Sequence, residues 1–411
     1  MASTATTVCT ACSCLCDDIG LQLEDDIIRR VENACRKGSS SLYGARFEQR
    51  RSRHLVEGRE VGADEAIDRA AAELSRARRP LIFGLDNSSL EAQGAGIELA
   101  RRLRCVIDDT SSFCQGNLVG QILSGALPSC TLPEVKTSDL ILYWGANPHH
   151  SHPRHLSKFT IYAHPDYTEL GAVRRVTLAA VEVRESETSS VCHRVFRILP
   201  RADRDLISAI GKGMAGQETS ADGKRVVDLF RKAKFTVIFA GLGLTYSLDN
   251  DYLPFIEMVK QLSSWGRVAV IPMVGHYNMR GFNQSLHKAA GHVNKVSFAD
   301  GVSSGDQFSF LEQVRNRSFD CLMVIGSDPF ASLPKSVSSA LEGIPRIVID
   351  PYQSATSEGS TVVIGSAVTG VEAAGTAVRM DGAEVKLLPP LAPSRPGDEE
   401  ILRRVMEKVS R

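Results

Sequence analysis

The alternation of short apolar runs with helical stretches is what most constrains the fold. PLIFGL (80–85), CVIDD (105–109), DLILYWG (139–145), RVTLAAVEV (175–183), FTVIFAG (235–241), RVAVIPMV (267–274), CLMVIGSD (321–328), RIVID (346–350) and TVVIG (361–365) all read as strands. Between them lie helical stretches. DEAIDRAAAELSRA (64–77) sets Ile67, Ala71 and Leu74 on one face, and 202–215, 226–233, 252–262 and 308–316 read the same way. Apolar strands with helices between them predict a parallel sheet covered on both faces. A chain of 411 residues with this many strands has enough for two such sheets. LPPLAPSRPGDEEILRRVMEKVSR (388–411) reads as a proline-rich linker before a terminal helix.

Charge narrows the function classes. Lys plus Arg equals Asp plus Glu, 48 each, which gives no footprint for nucleic acid or a membrane surface. No apolar run reaches membrane-spanning length, and the N-terminus lacks the basic start and apolar core of a signal peptide. The expectation is a cytoplasmic protein, in which ten cysteines serve metals or catalysis, or are buried, rather than form disulfides.

Five of those cysteines fall within the first 35 residues. Cys9, Cys12 and Cys16 sit close enough for one turning loop to aim three thiolates at one point, and Cys35 follows as a fourth. Four thiolates suit a [4Fe–4S] cluster or a tetrahedral zinc, and the alternative is a set of unligated buried thiols. Cys14 interrupts the spacing and reads as a spectator.

Several strand ends carry ligand-type residues. Gly145 and Asn147 follow one apolar strand, Arg184 and Thr188 another, and Gly241 and Gly243 a third. Open parallel sheets place ligands at such ends, and glycines there let backbone approach a phosphate. The alternative for each glycine turn is plain packing. No G-x-G-x-x-G follows the first strand, so nicotinamide binding is not indicated. HHSHPRH (149–155) gathers four of the ten histidines.

The cysteine segment CTACSCLCDD…CRKG resembles the N-terminal cluster domain of the molybdopterin-dependent oxidoreductases. The segments YWGANPHHSHPRHLSKF (143–159), VEVRESETSS (181–190), FAGLGLTYS (239–247), GHYNMRGFNQ (275–284), GSDPF (326–330), DPYQSATSE (350–358) and GVEAAGTAVRMDG (370–382) narrow the resemblance. It is to the B subunit of formylmethanofuran dehydrogenase and of the related formyltransferase/hydrolase complex. The resemblance implies a cluster-type module over 1–55 and a discontinuous α/β domain over 56–115 and 260–385. It also implies an inserted pterin-binding-like α/β domain over 116–259 and a linker and helix over 386–411. No C-terminal β-barrel of the large pterin enzymes follows the RMDG segment, so a partner subunit is expected to supply it.

For the site, the resemblance implies a [4Fe–4S] cluster on Cys9, Cys12, Cys16 and Cys35, with Lys37 between it and a molybdenum or tungsten bis-pterin guanine dinucleotide. Cys114 stands at the metal-ligating cysteine. Arg154 and His155 are implied pterin contacts beside Gly145, Asn147, Arg184, Thr188, Gly241 and Gly243. His276 is a candidate acid or base, and Arg280 a candidate cation. Two positions depart from the family pattern: Gln115 stands where histidine is expected, and Val274 where arginine is expected. An amide does not shuttle protons near neutral pH, and a valine supplies no charge to a developing carboxylate. The implied role is therefore a scaffold in a tetrahydromethanopterin-linked complex that passes a formyl group through a furan-type carrier and releases formate. The alternative is a catalytic dehydrogenase interconverting CO2 and formate. The expected partners are the other subunits of such a complex.

Overall fold

All nine apolar runs form strands in the computed structural model, which describes residues 2–45, 47–160 and 176–410. They divide between two units. The first comprises Met1–Gly116, His276–Arg379 and Glu384–Arg411, and the second Asn117–Gly275 with Met380–Ala383.

The first unit is built on a nine-stranded sheet. Its centre is parallel, in the order Val106–Asp108, Pro80–Gly84, Cys321–Ile325, Arg346–Asp350, Val362–Gly365. Antiparallel strands close both sides: Val296–Ser297 beside Val106–Asp108, and Leu55–Val56 beside Val362–Gly365. The pleat sends alternate residues to opposite faces. Cys321, Met323 and Ile325 pack under Ile67, Leu74, Leu99, Phe282 and Leu402, whereas Leu322 and Val324 pack under Phe310, Val314 and Leu341. The helices Ala63–Arg76, Leu90–Leu103, Met279–Ala290 and Asp398–Lys408 supply the first cover. Each fully buried large aliphatic side chain contributes roughly 1.5–3 kcal/mol, so the two covers are what hold the sheet.

The same unit carries the N-terminal module, an antiparallel three-stranded sheet of Ala2–Thr7, Ile19–Glu24 and Ile27–Glu32 followed by the helix Arg36–Gly44. A hairpin of Gly375–Val378 and Glu384–Leu387 packs Ala377 and Leu387 with Leu15 and Tyr277.

The second unit has one five-stranded parallel sheet in the order Arg194–Arg197, Thr177–Glu182, Leu140–Trp144, Phe235–Ala240, Arg267–Pro272. The chain runs outward from the middle strand one way, then returns and runs the other way. That order creates a crevice beyond the carboxyl ends of Leu140–Trp144 and Phe235–Ala240. Among the described residues no helix is long and apolar enough to cross a membrane.

One boundary lies elsewhere than expected. The chain returns to the first unit at His276 and not near residue 260, because Arg267–Pro272 is the edge strand of the second unit and pairs with Phe235–Ala240. The N-terminal module belongs to the first unit, and Leu55–Val56 is a strand of that unit's main sheet. Sequence reading also missed the helices Leu90–Leu103 and Met279–Ala290. Each carries internal glycine, which lowers helix propensity by about 1 kcal/mol per residue, and tertiary burial overrides it.

A buried ion pair ties the N-terminal segment to the hairpin region. The Arg51 guanidinium, 1% exposed, sits 2.7 Å from Glu372 and donates to the Pro351 and Ser366 carbonyls. Glu372 also accepts the Val368 amide. Glu372→Ala strands a buried charge and is expected to lower unfolding free energy by about 3–5 kcal/mol, read from urea unfolding.

Candidate functional site

The cysteine loop is shaped by its backbone. The Cys9 amide donates to the Cys16 carbonyl at 2.9 Å, and the Leu15 amide to Cys12 at 3.2 Å, folding the segment back on itself. Cys35 caps the helix Arg36–Gly44, its sulfur accepting the Gly38 amide. A Cβ on Gly38 would lie 2.9 Å from the Cys9 sulfur and 3.8 Å from that of Cys35, so the helix start is pressed against the loop. Burial, with the fields of Cys12, Cys16 and Cys35 adding to it, pushes the Cys9 thiol up to about 12. Cys14, fully enclosed, hydrogen-bonds Cys12 and helps hold the Cys12 thiol below its ordinary value. The four spaced cysteines are thus neighbours, and all are free thiols. Among the described residues no group of three or more His, Cys, Asp or Glu side chains is gathered as a single-ion chelate.

A second cluster lies just past the carboxyl ends of the neighbouring parallel strands Pro80–Gly84 and Val106–Asp108 of the larger sheet. Asp86, wholly buried, sits 2.7 Å from His276 Nδ1. Thr110 donates to the same Asp86 oxygen, and its hydroxyl is 2.8 Å from His276 Nδ1. The Asp86 charge is the main reason the imidazole's pKa lies above its ordinary value, and the Lys37 charge opposes it. Behind Asp86, burial and the charges of Asp86 and Asp108 raise the Asp109 carboxyl well above its usual range. Lys37 also acts on Cys12, so its charge reaches both clusters.

The second unit's crevice is a cavity of about 240 Å³ lined by Gly145, Val181, Glu182, Arg201, Asp203 and Gly243, among others. Gly145 has φ +57, and a Cβ on Gly241 would sit 2.0 Å from the Gly145 carbonyl oxygen. These glycines let two strand ends lie backbone to backbone, which is the plain-packing alternative, while Gly145 and Gly243 also line the cavity. Trp144 is fully buried and donates to Asp203 at 2.6 Å. Burial pushes Glu182 up to about 7 despite the nearby Arg184 and Arg197 charges. The Glu182 Oε1 and Ser247 hydroxyl atoms are buried without a hydrogen-bond partner, and both residues line this cavity.

The remaining candidates separate. Thr188 donates to Asn147, which in turn donates to Glu187, so Asn147 and Thr188 brace two turns against each other. Arg184 is exposed. His155 is wholly buried near Tyr143, Phe159 and Phe239, which depresses its pKa to about 3. That ring is packed as a core histidine. His152 is buried too, its Nε2 2.9 Å from the Val274 carbonyl, while His149 and His150 are exposed, so the histidine run does not converge on one point. Arg154 and Cys114 are half-buried, and Gln115, Val274 and Arg280 are enclosed. Sequence reading missed Asp86, Thr110 and Glu182. Each follows or ends an apolar strand of a parallel sheet, and that position was the available signal.

No protein-family model matches the chain. The B subunit of a tungsten-containing formylmethanofuran dehydrogenase from Methanocaldococcus jannaschii is 31% identical over 428 residues, covering 98% of this chain and 97% of the relative. Its counterpart from Methanococcus maripaludis is 29% identical over 98% of both chains. Among solved structures, a chain of the formyltransferase/hydrolase complex (FhcABCD) from Methylorubrum extorquens, in complex with methylofuran, superposes with a TM-score of 0.71. It is 18% identical, covering 87% of this chain and 98% of that one. Acetylene hydratase from Pelobacter acetylenicus superposes with a TM-score of 0.69 at 9% identity, over 98% of this chain and 69% of that one. The two superpositions place the fold among those of the molybdopterin oxidoreductases.

The raised Glu182 carboxyl has a measurable consequence. The folded state holds its proton up to about pH 7, whereas the unfolded chain releases it near 4.5. This group's contribution therefore makes stability fall as pH rises across that window. Glu182→Gln is expected to remove that part of the slope, read as a smaller difference between urea midpoints at the two ends of the window.

Proposed function

Since the chain belongs to the B-subunit family of formylmethanofuran dehydrogenases, we propose that it is the B subunit of a multi-subunit one-carbon complex. There a formyl group passes through a furan-type carrier and is released as formate. In this reading the chain acts chiefly as a scaffold. The observation that carries it is the pair of enclosed positions, Gln115 and Val274, each 0% exposed. Reducing CO2 at a metal asks for a proton carrier and a cation beside the reacting carbon. At the two positions where the family pattern has such groups this chain supplies an amide and a hydrocarbon, and neither side chain gains either property from its surroundings.

The cysteine loop favours a retained [4Fe–4S] cluster. Cys9, Cys12, Cys16 and Cys35 lie within one another's electrostatic reach, and a soft four-thiolate donor set suits iron and sulfide. A four-iron cube is larger than one ion, so its ligands need not stand at chelating distance. Those four residues would hold it, and it would supply one-electron transfer.

The second unit's cavity favours a nucleotide-like group. At about 240 Å³ it takes a nucleoside-sized fragment rather than a whole dinucleotide. Glu182 stands at the end of the strand beside Leu140–Trp144, where α/β sheets place an acidic residue for a ribose hydroxyl. Its unpartnered Oε1 and the Ser247 hydroxyl are ready to bind one. A partner subunit would close such a site.

The competing reading is a catalytic dehydrogenase. The tungsten-containing relatives, aligned end to end, and the retained Cys114 favour it. A soft thiolate suits molybdenum or tungsten, which would supply the two-electron chemistry between CO2 and formate.

Metal analysis of the purified complex separates these. The scaffold with a cluster predicts iron without tungsten or molybdenum, and formate release unchanged by Cys114→Ala. Tungsten or molybdenum in the complex, with CO2/formate redox activity lost in Cys114→Ala, overturns the scaffold. Formate release that fails in Cys114→Ala with neither metal present overturns both readings.

A further inference from the structure

The loop after the strand Arg346–Asp350 is tied to the segment that leads into Leu55–Val56. The Ser52 amide donates to the Pro351 carbonyl at 3.0 Å, and the Gln353 amide to the Arg50 carbonyl at 2.9 Å. Between loop and segment lies a cavity of about 240 Å³, wholly within the first unit. It shares no residue with the cysteine loop, the His276 cluster or the second unit's crevice. Ser52 forms part of its wall and is 0% exposed, and the Ser52 hydroxyl has no hydrogen-bond partner. A buried hydroxyl left unpaired is costly, so Ser52 gains from an occupant that bonds it.

The other polar groups select that occupant. Ser357 donates its proton to the Ser354 carbonyl at 2.7 Å, and Ser360 donates to the Thr356 carbonyl at 2.6 Å. Both therefore meet an occupant with lone pairs. Gln353 gives an amide N–H to the Arg51 carbonyl and keeps its oxygen. These acceptors ask for O–H or N–H donors.

Charge excludes ions of either sign. The Glu358 carboxylate is exposed at the rim and, among the described residues, pairs with no cation. Arg53 is also at the rim, but Glu60 neutralises it at 2.8 Å. Behind the wall, Arg346 donates to Ser360 and to the Leu341 and Glu358 carbonyls and, among the described residues, to no carboxylate. The two uncompensated charges, Glu358 and Arg346, are opposite in sign, so neither an anion nor a cation is favoured. Leu55 and Val363 add aliphatic surface.

We propose that this cavity binds a small neutral polyol of roughly three to six carbons, the size its volume admits. Ser52 both donates to the polyol and accepts from it. Ser357, Ser360 and Gln353 accept its protons, and its carbon chain rests on Leu55 and Val363. No covalent bond is made or broken.

The test uses the full chain with methyl-labelled leucine and valine, the Leu55 and Val363 signals being identified by their loss in Leu55→Met and Val363→Ile. Polyols also stabilise folded proteins by exclusion from the surface, so saturation of these two signals is the readout rather than a melting temperature. Glycerol, erythritol and ribitol are expected to shift both signals saturably, and sodium sulfate and methylammonium chloride at matched concentration are not. Ser52→Ala is expected to weaken binding about fivefold, the scale of one neutral hydrogen bond. Gln353→Ala, at the exposed rim, is expected to weaken it about threefold and decides the matter if the buried variant does not fold. Shifts that grow without saturating overturn the proposal. So do equal affinities in the wild type and the folded variants, or saturation by sulfate or methylammonium.

Discussion

A parallel sheet must bury both of its faces, and its side chains can reach a ligand only where the strands stop. That constraint organises both units. In the larger sheet, Cys321, Met323 and Ile325 point one way and Leu322 and Val324 the other, and each set has its own helical cover. No residue inside those strands is available for chemistry. The groups that are available cluster just past the strand ends: Asp86 and Thr110 in one unit, Gly145, Glu182 and Gly243 in the other.

The polar groups at these ends sit in surroundings that penalise charge, and that is the source of their properties. Burial raises Glu182 to about 7 and Asp108 to about 6. His276 moves the same way for a different reason, since a buried carboxylate beside it favours the charged ring. His155 shows the opposite case. Enclosed near aromatic rings, with no acid acting on it among the described residues, it is held neutral with a pKa of about 3. Two histidines of one chain thus have different chemistry because one has Asp86 and the other has Phe239.

The cysteine loop and the glycine turns rely on close approach rather than on charge. Gly38 lets the helix start press on Cys9, and Gly241 lets one strand end rest on the backbone of another. In the first case the result is a neighbourhood of thiols, and in the second a crevice floor made of main chain. The full-length relationship to the B subunits of formylmethanofuran dehydrogenases fits a chain whose sites are assembled from strand ends and loops.

The sequence by itself determined the nine apolar core strands, their parallel arrangement and the spaced cysteines. Each is written locally: in apolar runs of strand length, in helical periodicity between them, and in thiols a few residues apart. It also marked Gln115 and Val274 as departures, since side-chain chemistry needs no fold to be read. Only the tertiary structure decided where residue 276 rejoins the first unit, because Arg267–Pro272 reads equally well as a strand of either sheet until its partner is known. The fold likewise separated His155 from His276 and joined Asp86 to a histidine 190 positions away. Such pairings depend on which strand ends lie side by side, and no local pattern of residues carries that information.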